Sequence, residues 1–201
     1  AMFRYPVKAR YVRIYPESGH YIGMRAGVIL CEPACESSQL DYRLTTPSLA
    51  SVTSGASLDP VWGSGRFDKK RGYRFHKDKG FEVDETGCLK NIKQYSMLID
   101  VNLDQVDKQR AIFTSSDWNN NDNGVFVQDG ILQLKPTDLT CSEKILRNHY
   151  YQIGLTRDEK SGNVTLSLNG YPCAMGKPSS SDGFALGKDG MTFLRGAYGQ
   201  S

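Results

Sequence analysis

The chain has little of what marks most functional classes at sight. Its 201 residues include three histidines, two tryptophans and five cysteines, and Lys plus Arg outnumber Asp plus Glu by only 25 to 22. A net charge of +3 does not indicate a dedicated nucleic-acid binder. There is no apolar run of about 18 residues, so the sequence predicts no membrane-spanning helix. No segment of useful length has a helical period.

The cysteines do not follow the spacing of a zinc site. Cys31 and Cys35 form a CxxxC, and no second close pair follows. An odd number leaves at least one cysteine unpaired within the chain. Two disulfides and one unpaired cysteine would suit a piece of a larger secreted protein, whereas five reduced core cysteines would suit a cytosolic one. The first interpretation is favoured, and Asn163-Val-Thr165, a glycosylation sequon, agrees with it.

Residues 95–134 give the clearest structural signal. The apolar-leaning positions from Tyr95 to Leu103 recur with a period of two, which is typical of a strand with one buried face. A strand at Ala111–Phe113 and another at Val125–Val127 follow, and Asp129-Gly130 is a dipeptide typical of a tight hairpin. The sequence therefore predicts an all-β protein built as an antiparallel sandwich.

The first 35 residues resemble one end of a known domain. Residues 7–31 are similar to the closing hairpin of a discoidin (factor 5/8 type C) domain, with matches at Ala9–Pro16, Ile22, Arg25 and Cys31. The ligand loops of that family lie in parts that this chain lacks, so the resemblance implies no binding residues. It also implies that Cys31 is unpaired, or is paired with Cys35 or another cysteine, because the family's usual partner is absent.

The later part of the chain resembles laminin-G and concanavalin A-like jelly rolls. Tyr151–Asp158, Gly162–Leu168 and Asn169-Gly170 match a hairpin of that fold. We therefore expect a discoidin-like C-terminal hairpin or added edge strands at 1–35, a linker or irregular wrap at 36–65, and a laminin-G/concanavalin A-like β-sandwich at 66–201. We also expect the Ala9–Tyr15 strand to supply an edge that this sandwich would otherwise lack.

A polar loop at 117–124 is the sharpest candidate site. Trp118 could stack on the apolar face of a sugar, with amides at Asn119, Asn121 and Asn123 beside it. Oxygen-bearing side chains at Asp117, Asn119, Asn121 and Asp122 could hold a calcium ion, although the spacing is not that of an EF-hand. The alternatives are a plain hairpin loop and a Trp118 that folds back onto the sandwich.

A basic run follows the predicted linker. Arg66 to Lys79 holds seven basic residues, with Tyr73 and Phe75 among them. If the aromatic side chains face inward, the charges share one outer face that could hold a sulfated glycan or an acidic phospholipid. The alternative is a solvated edge strand protected from aggregation by its charges. The polyanion-binding candidates are Lys69, Lys70, Arg71, Arg74 and Lys77.

Catalytic patterns are weak. Jelly-roll glucanases carry Glu-x-Asp-x-x-Glu on one strand, and the nearest match, Glu82-Val-Asp84, has Gly87 in place of the last acid. We therefore expect no enzyme activity and no cofactor other than calcium. The predicted function is that of a binding or adhesion module of a larger secreted or surface protein, recognising carbohydrate or a partner protein. The alternatives are a structural inter-domain scaffold without its own ligand and a glucanase-like glycoside hydrolase.

Overall fold

The computed structural model describes residues 25–30, 39–44, 48, 58–61, 66–69, 72–74, 80–83, 93–114, 124–178, 184–186 and 191–194. All regular structure in these ranges is β-strand. The strands are β1 Arg25–Leu30, β2 Gln39–Arg43, β3 Leu58–Val61, β4 Arg66–Asp68, β5 Gly72–Arg74, β6 Gly80–Val83, β7 Tyr95–Asn102, β8 Arg110–Thr114, β9 Gly124–Gln128, β10 Ile131–Lys135, β11 Leu139–Lys144, β12 Tyr150–Arg157, β13 Val164–Leu168, β14 Tyr171–Gly176 and β15 Met191–Phe193.

The strands form two large antiparallel sheets and one small one. The six-stranded sheet has the order β14-β13-β12-β7-β1-β2, the seven-stranded sheet β11-β10-β9-β8-β15-β6-β3, and β4 pairs with β5. Side chains from both large sheets meet in one hydrophobic cluster, as in a sandwich. The predicted all-β antiparallel sandwich is confirmed.

The alternation read from residues 95–103 appears directly in β7. Tyr95, Met97, Ile99 and Val101 are buried, and the residues between them are half-buried on the opposite face. Strand β12 pairs with β7 along its whole length, from Tyr150 opposite Asn102 to Arg157 opposite Tyr95. These two strands form the centre of the six-stranded sheet, which is why their period is the clearest in the sequence.

Two dipeptides turn the chain between neighbouring strands as predicted. Asp129 and Gly130 have φ of 52° and 76°, and Asn169 and Gly170 have φ of 52° and 81°. Positive φ at both central residues is the type I′ geometry that matches strand twist. The first turn joins β9 to β10, and the second joins β13 to β14.

Segment 36–65 is not simply a linker. It contains β2 and β3, which are the last strands of the six-stranded and seven-stranded sheets. The expectation of a linker or wrap is therefore corrected for Gln39–Arg43 and Leu58–Val61. Both are short edge strands, and β3 contains Pro60, which an edge tolerates because it needs fewer ladder donors. Strands this short contain too few residues to show a clear alternation of apolar and polar positions in the sequence.

Part of segment 1–35 also belongs to the sandwich. Strand β1 lies between β7 and β2, with Val28 opposite both Met97 and Leu40. It is therefore an inner strand and not an added edge. The proposed edge strand at Ala9–Tyr15 lies outside the described residues, and the discoidin resemblance stays a prediction.

A disulfide joins Cys141 on β11 to Cys173 on β14, with the two Cα atoms 5.0 Å apart. Each strand is an edge of its own sheet, so the bond links the two sheets along one side of the sandwich. The sequence left the pairing open. Cys31, Cys35 and Cys88 lie outside the described residues.

A buried hydrogen bond holds the first residue of β7, Tyr95. The Tyr95 hydroxyl donates to the Phe184 carbonyl oxygen at 2.8 Å, and Arg157 donates to the Lys93 carbonyl oxygen. Burial raises the pKa of Tyr95 well above its ordinary value, and the Arg157 charge opposes that effect. The hydroxyl therefore stays neutral and acts as a donor across the physiological range.

Candidate functional site

The predicted ligand loop has a defined base on the seven-stranded sheet. Strand β8 ends at Thr114 and β9 begins at Gly124, and these two residues are direct register partners. The loop between them therefore leaves and re-enters the sheet at one point. The residues proposed for ligand or metal binding in it lie outside the described residues: Asp117, Trp118, Asn119, Asn121, Asp122 and Asn123.

The base belongs to a row of residues that crosses the sheet. Successive register pairs join Lys135 to Gly124, Gly124 to Thr114, and Thr114 to Thr192. The same row continues to Glu82 on β6 and Asp59 on β3. Directly opposite residues share a face, and the adjacent row of Leu134, Val125, Phe113 and Phe193 lies in the core. The part of this row from Lys135 to Thr192 therefore lies on the outer face.

Gly124 is buried in that row, and the backbone of β8 lies close against it. Its φ is +149°, and a Cβ atom there would lie 2.4 Å from the Phe113 carbonyl oxygen. Any side chain at this position would be strained and would clash with backbone. Because Thr114 and Thr192 are short, no long side chain stands between Lys135 and Glu82 in this row.

The outer face also carries a buried aromatic ring. Phe126 is 0% exposed, although it stands between Val125 and Val127, which both point into the core. Its register partner on β8, Ala111, is 3% exposed and likewise lies outside the core cluster. The outer face is therefore covered at this point, in contrast to an ordinary solvated sheet face.

Lys135 supplies part of that cover. Its ammonium lies 5.7 Å from the centre of the Phe126 ring, within the range of a cation–π contact. It also donates a hydrogen bond to Gln109 Oε1 at 2.9 Å. A nearby cation, Arg110, donates to Gln105 Oε1. Both cations are half-buried, and both have neutral amide acceptors.

The basic hairpin lies elsewhere on the sandwich. Arg66 on β4 stands directly opposite Arg74 on β5. The Tyr73 ring packs on Phe67 at 5.6 Å and edge-on to Phe81 at 5.5 Å between centroids, which attaches the hairpin to the core. The exposed side chains are Arg66, Lys69 and Arg74.

The remaining candidates in the basic run are not described. Lys70, Arg71 and Lys77 lie outside the described residues, so the polyanion site stays a prediction. Arg66 joins its candidates because the register places it opposite Arg74.

The described ranges bring no three His, Cys, Asp or Glu side chains together in a way that would hold a metal ion. The proposed calcium ligands are not among those ranges. Nor do the same ranges contain a helix long and apolar enough to cross a membrane.

Sequence reasoning missed Lys135, Phe126 and Gln109. They come from three separate segments, and only strand pairing brings them together. One signal was available: Val125-Phe126-Val127 is a run without polar residues, which indicates a strand covered on both faces.

No protein-family model and no curated protein matches the chain. Among solved structures, it is similar to domain 4 of an extracellular GH43 arabinanase from Geobacillus stearothermophilus, solved in complex with arabinotriose. Identity is 16%, the TM-score is 0.50, and the match covers 79% of this chain and 84% of that chain. It is also similar to the CBM40 of the Ruminococcus gnavus IT-sialidase, bound to α2,3-sialyllactose, at 14% identity and a TM-score of 0.45, over 66% of this chain and 80% of that chain. The first likeness supports the β-sandwich fold, and the laminin-G resemblance stays a prediction.

Proposed function

We propose that this chain is a non-catalytic carbohydrate-binding module of a larger secreted or surface protein. The observation that carries the proposal is the outer face of the seven-stranded sheet at the base of the 117–124 loop. There, Thr114 and Gly124 are direct register partners, so both ends of the loop are held at one point of the sheet. Sugars present hydroxyl groups that both donate and accept hydrogen bonds, together with apolar C–H faces. A tryptophan and several asparagines in one loop complement both kinds of group.

The loop supplies the contacts that the sheet lacks. Trp118 is proposed to stack on a sugar ring, and the side-chain amides of Asn119, Asn121 and Asn123 to bind its hydroxyl groups. Loops mounted on a rigid sheet are common places for binding residues. The same fold serves a sugar-binding domain in the arabinanase solved with arabinotriose, which supports this assignment.

A glycan array followed by calorimetry tests the proposal. Wild-type protein is expected to give reproducible hits, and Trp118→Ala to lose about tenfold or more in affinity, because burial of a large apolar side chain contributes roughly 1.5–3 kcal/mol. Tyr171→Ala is the matched control, since Tyr171 is an aromatic residue, 65% exposed, on the other sheet. A blank array with folded wild-type protein would contradict the proposal and support the inter-domain scaffold.

Calcium is the one cofactor proposed. Asp117, Asn119, Asn121 and Asp122 would supply the side-chain oxygens that bind the ion. Calorimetric titration of metal-stripped protein with calcium should release or absorb heat, and the paired Asp117→Asn and Asp122→Asn variant should not. A flat wild-type titration removes the metal from the proposal.

The proposal also covers the location of the protein and the charge of its ligand. The Cys141–Cys173 disulfide supports a secreted or cell-surface location, because structural disulfides form in oxidising compartments. The exposed cations of the β4–β5 hairpin suit a sulfated glycan, with Lys70, Arg71 and Lys77 as further proposed contacts.

One observation favours a hydrolytic alternative. The strand register places Asp59 directly opposite Glu82. Glycoside hydrolases need two carboxyl groups that flank the scissile bond. Turnover of a β-glucan that is lost on Glu82→Gln would support this alternative, whereas binding without turnover supports the non-catalytic module.

A further inference from the structure

Asn163 lies between the turn that follows β12 and the first residue of β13, and it begins the triplet Asn163-Val164-Thr165. The middle residue is valine and not proline, so the triplet has the form of an N-glycosylation acceptor. No other asparagine of the chain is followed by Ser or Thr two positions later. The surroundings of Asn163 in the fold decide whether a sugar fits there.

The main chain of Asn163 is held by its neighbours in the turn. The Asp158 N–H donates to the Asn163 carbonyl oxygen at 2.9 Å, and the Asn163 N–H donates to the Ser161 hydroxyl oxygen at 3.2 Å. The N–H and hydroxyl of Ser161 in turn donate to Asp158 Oδ1 at 2.7 Å and 2.8 Å. Such bonds from an aspartate to the backbone close turns. The backbone position of Asn163 therefore does not depend on its own side chain.

The side-chain amide of Asn163 is not used by the described fold. An asparagine amide offers two donors and one acceptor, yet this one forms no hydrogen bond with any residue in the described ranges. Asn169, just after β13, differs from it, because its Oδ1 accepts a hydrogen bond from the Gln152 N–H at 3.1 Å. A bond from Asn163 Nδ2 to a sugar would therefore break no hydrogen bond of the described structure.

The Asn163 side chain lies on the outer side of the six-stranded sheet. Val164 is 0% exposed and belongs to the core cluster, and successive side chains of a strand point to opposite faces. Asn163 and Thr165 therefore share the outer face. Ser161 is exposed, and a Cβ added at Gly162 would meet nothing within 4 Å apart from its chain neighbours. The described residues thus leave room for a sugar beside this turn.

We infer that Asn163 is an N-glycosylation site that carries an oligosaccharide on the outer side of the six-stranded sheet. The inference rests on the secreted or cell-surface location that forms part of the proposed function. The co-substrate would be an oligosaccharide linked to a lipid pyrophosphate, brought by the glycosyltransferase of the secretory pathway. Asn163 Nδ2 would form the bond to C1 of the first sugar and lose one proton to a base of the transferase. The bond from C1 to the pyrophosphate oxygen would break, and the lipid pyrophosphate would leave with the bonding electrons.

Secretion of the full chain by cultured eukaryotic cells, behind a signal peptide, tests the inference. Wild-type protein is expected to migrate more slowly before than after treatment with a peptide-N-glycosidase, which releases N-linked glycans and converts the acceptor asparagine to aspartate. When that treatment is carried out in heavy-oxygen water, peptide mass spectrometry should locate the label at Asn163.

Variants of the triplet identify the acceptor. Asn163→Gln and Thr165→Ala should both lose the mobility shift, whereas Thr165→Ser keeps the acceptor form and should retain it. Asn163→Gln should unfold at the same urea concentration as deglycosylated wild type, because the amide forms no described hydrogen bond. Asn169→Gln is the matched control and should unfold at a lower concentration, since it disturbs the bond to Gln152 and a backbone φ of 52°.

The outcomes separate the inference from the function on which it rests. Secreted wild type that contains the Cys141–Cys173 disulfide and binds sugars, but has an unmodified Asn163, overturns the inference and leaves the proposed function in place. A glycan that persists in Asn163→Gln also overturns it, because the sugar is then attached elsewhere. A marked loss of stability in Asn163→Gln relative to deglycosylated wild type would show that the amide serves the fold, which overturns the inference as well. Failure to bind any glycan on the array overturns the proposed function, and it does not change the result at Asn163.

Discussion

Cys141 and Cys173 join the edge strands of opposite sheets, so the disulfide links the two layers along one side of the sandwich. Both residues also touch the hydrophobic core. The bond thus acts on the packing of the whole sandwich and not on a surface loop.

Loss of this disulfide should destabilise the protein. The two cysteines are separated by 32 residues, and a closed loop of that size is worth about 4 kcal/mol through the entropy of the unfolded chain. We expect the Cys141→Ser and Cys173→Ser double variant to unfold at a lower urea concentration than oxidised wild type. Reductant should lower the wild-type midpoint to that of the double variant and leave the double variant unchanged. Equal midpoints for oxidised and reduced wild type would contradict the prediction.

Gly124→Ala should be strongly destabilising. The substitution combines a φ of +149° with a Cβ that would lie 2.4 Å from the Phe113 carbonyl oxygen. Gly162→Ala is a matched control, because Gly162 also has a positive φ, +69°, but nothing within 4 Å of the added atom. Urea unfolding should show a loss of about 1–2 kcal/mol for Gly162→Ala, from backbone strain alone, and a clearly larger loss for Gly124→Ala. Similar losses would show that the contact between a Cβ atom at position 124 and the Phe113 carbonyl oxygen does not reduce stability further.

The parts of the fold that the sequence predicted are those with strong local signals. Strand β7 has one buried face, and its alternation is visible from Tyr95 to Val101. The turns at Asp129-Gly130 and Asn169-Gly170 use residues that tolerate positive φ. The edge strands have no comparable local sequence pattern. Strand β14, for example, is exposed at Tyr171 and Met175 and contains a bulge, so no regular period remains to be read.

The candidate site was predictable only in part. The loop around Trp118 was recognised from its own composition, because Asp, Asn and Gly in series favour turns. The cation above Phe126 was not, since Gln109, Phe126 and Lys135 belong to three different segments and meet only through strand pairing. Likewise, the pairing of β1 with β7 joins segments some 70 residues apart, and no local pattern specifies such a contact.

Tyr95 should make the fold sensitive to alkaline pH. Burial raises the pKa of its hydroxyl above the ordinary value near 10, so above that pH the unfolded chain releases a proton that the folded chain keeps. The unfolded state then binds fewer protons, and stability falls as the pH rises.

Urea titrations between pH 8 and 11 measure this effect. Tyr95→Phe should cost about 1–2 kcal/mol at neutral pH, because it removes the donor to the Phe184 carbonyl oxygen. Above about pH 10 it should also show a shallower loss of stability than wild type. Tyr171→Phe, at an exposed position, should follow the wild-type profile. Parallel profiles for all three proteins would argue against a neutral, buried Tyr95.

The Arg66–Arg74 pair should contribute to anion binding without stabilising the fold. Like charges directly opposite on paired strands repel each other, so Arg66→Ala or Arg74→Ala should leave the unfolding free energy unchanged or slightly raised. Each variant should nevertheless elute from heparin at lower salt than wild type, because it removes one exposed cation from the hairpin. Lys160→Ala removes an equal charge from the exposed turn between β12 and β13, and it should shift elution less. Equal shifts for all three variants would mean that heparin senses net charge alone, and a clear drop in stability for either arginine variant would mean that the pair serves the fold and not a ligand.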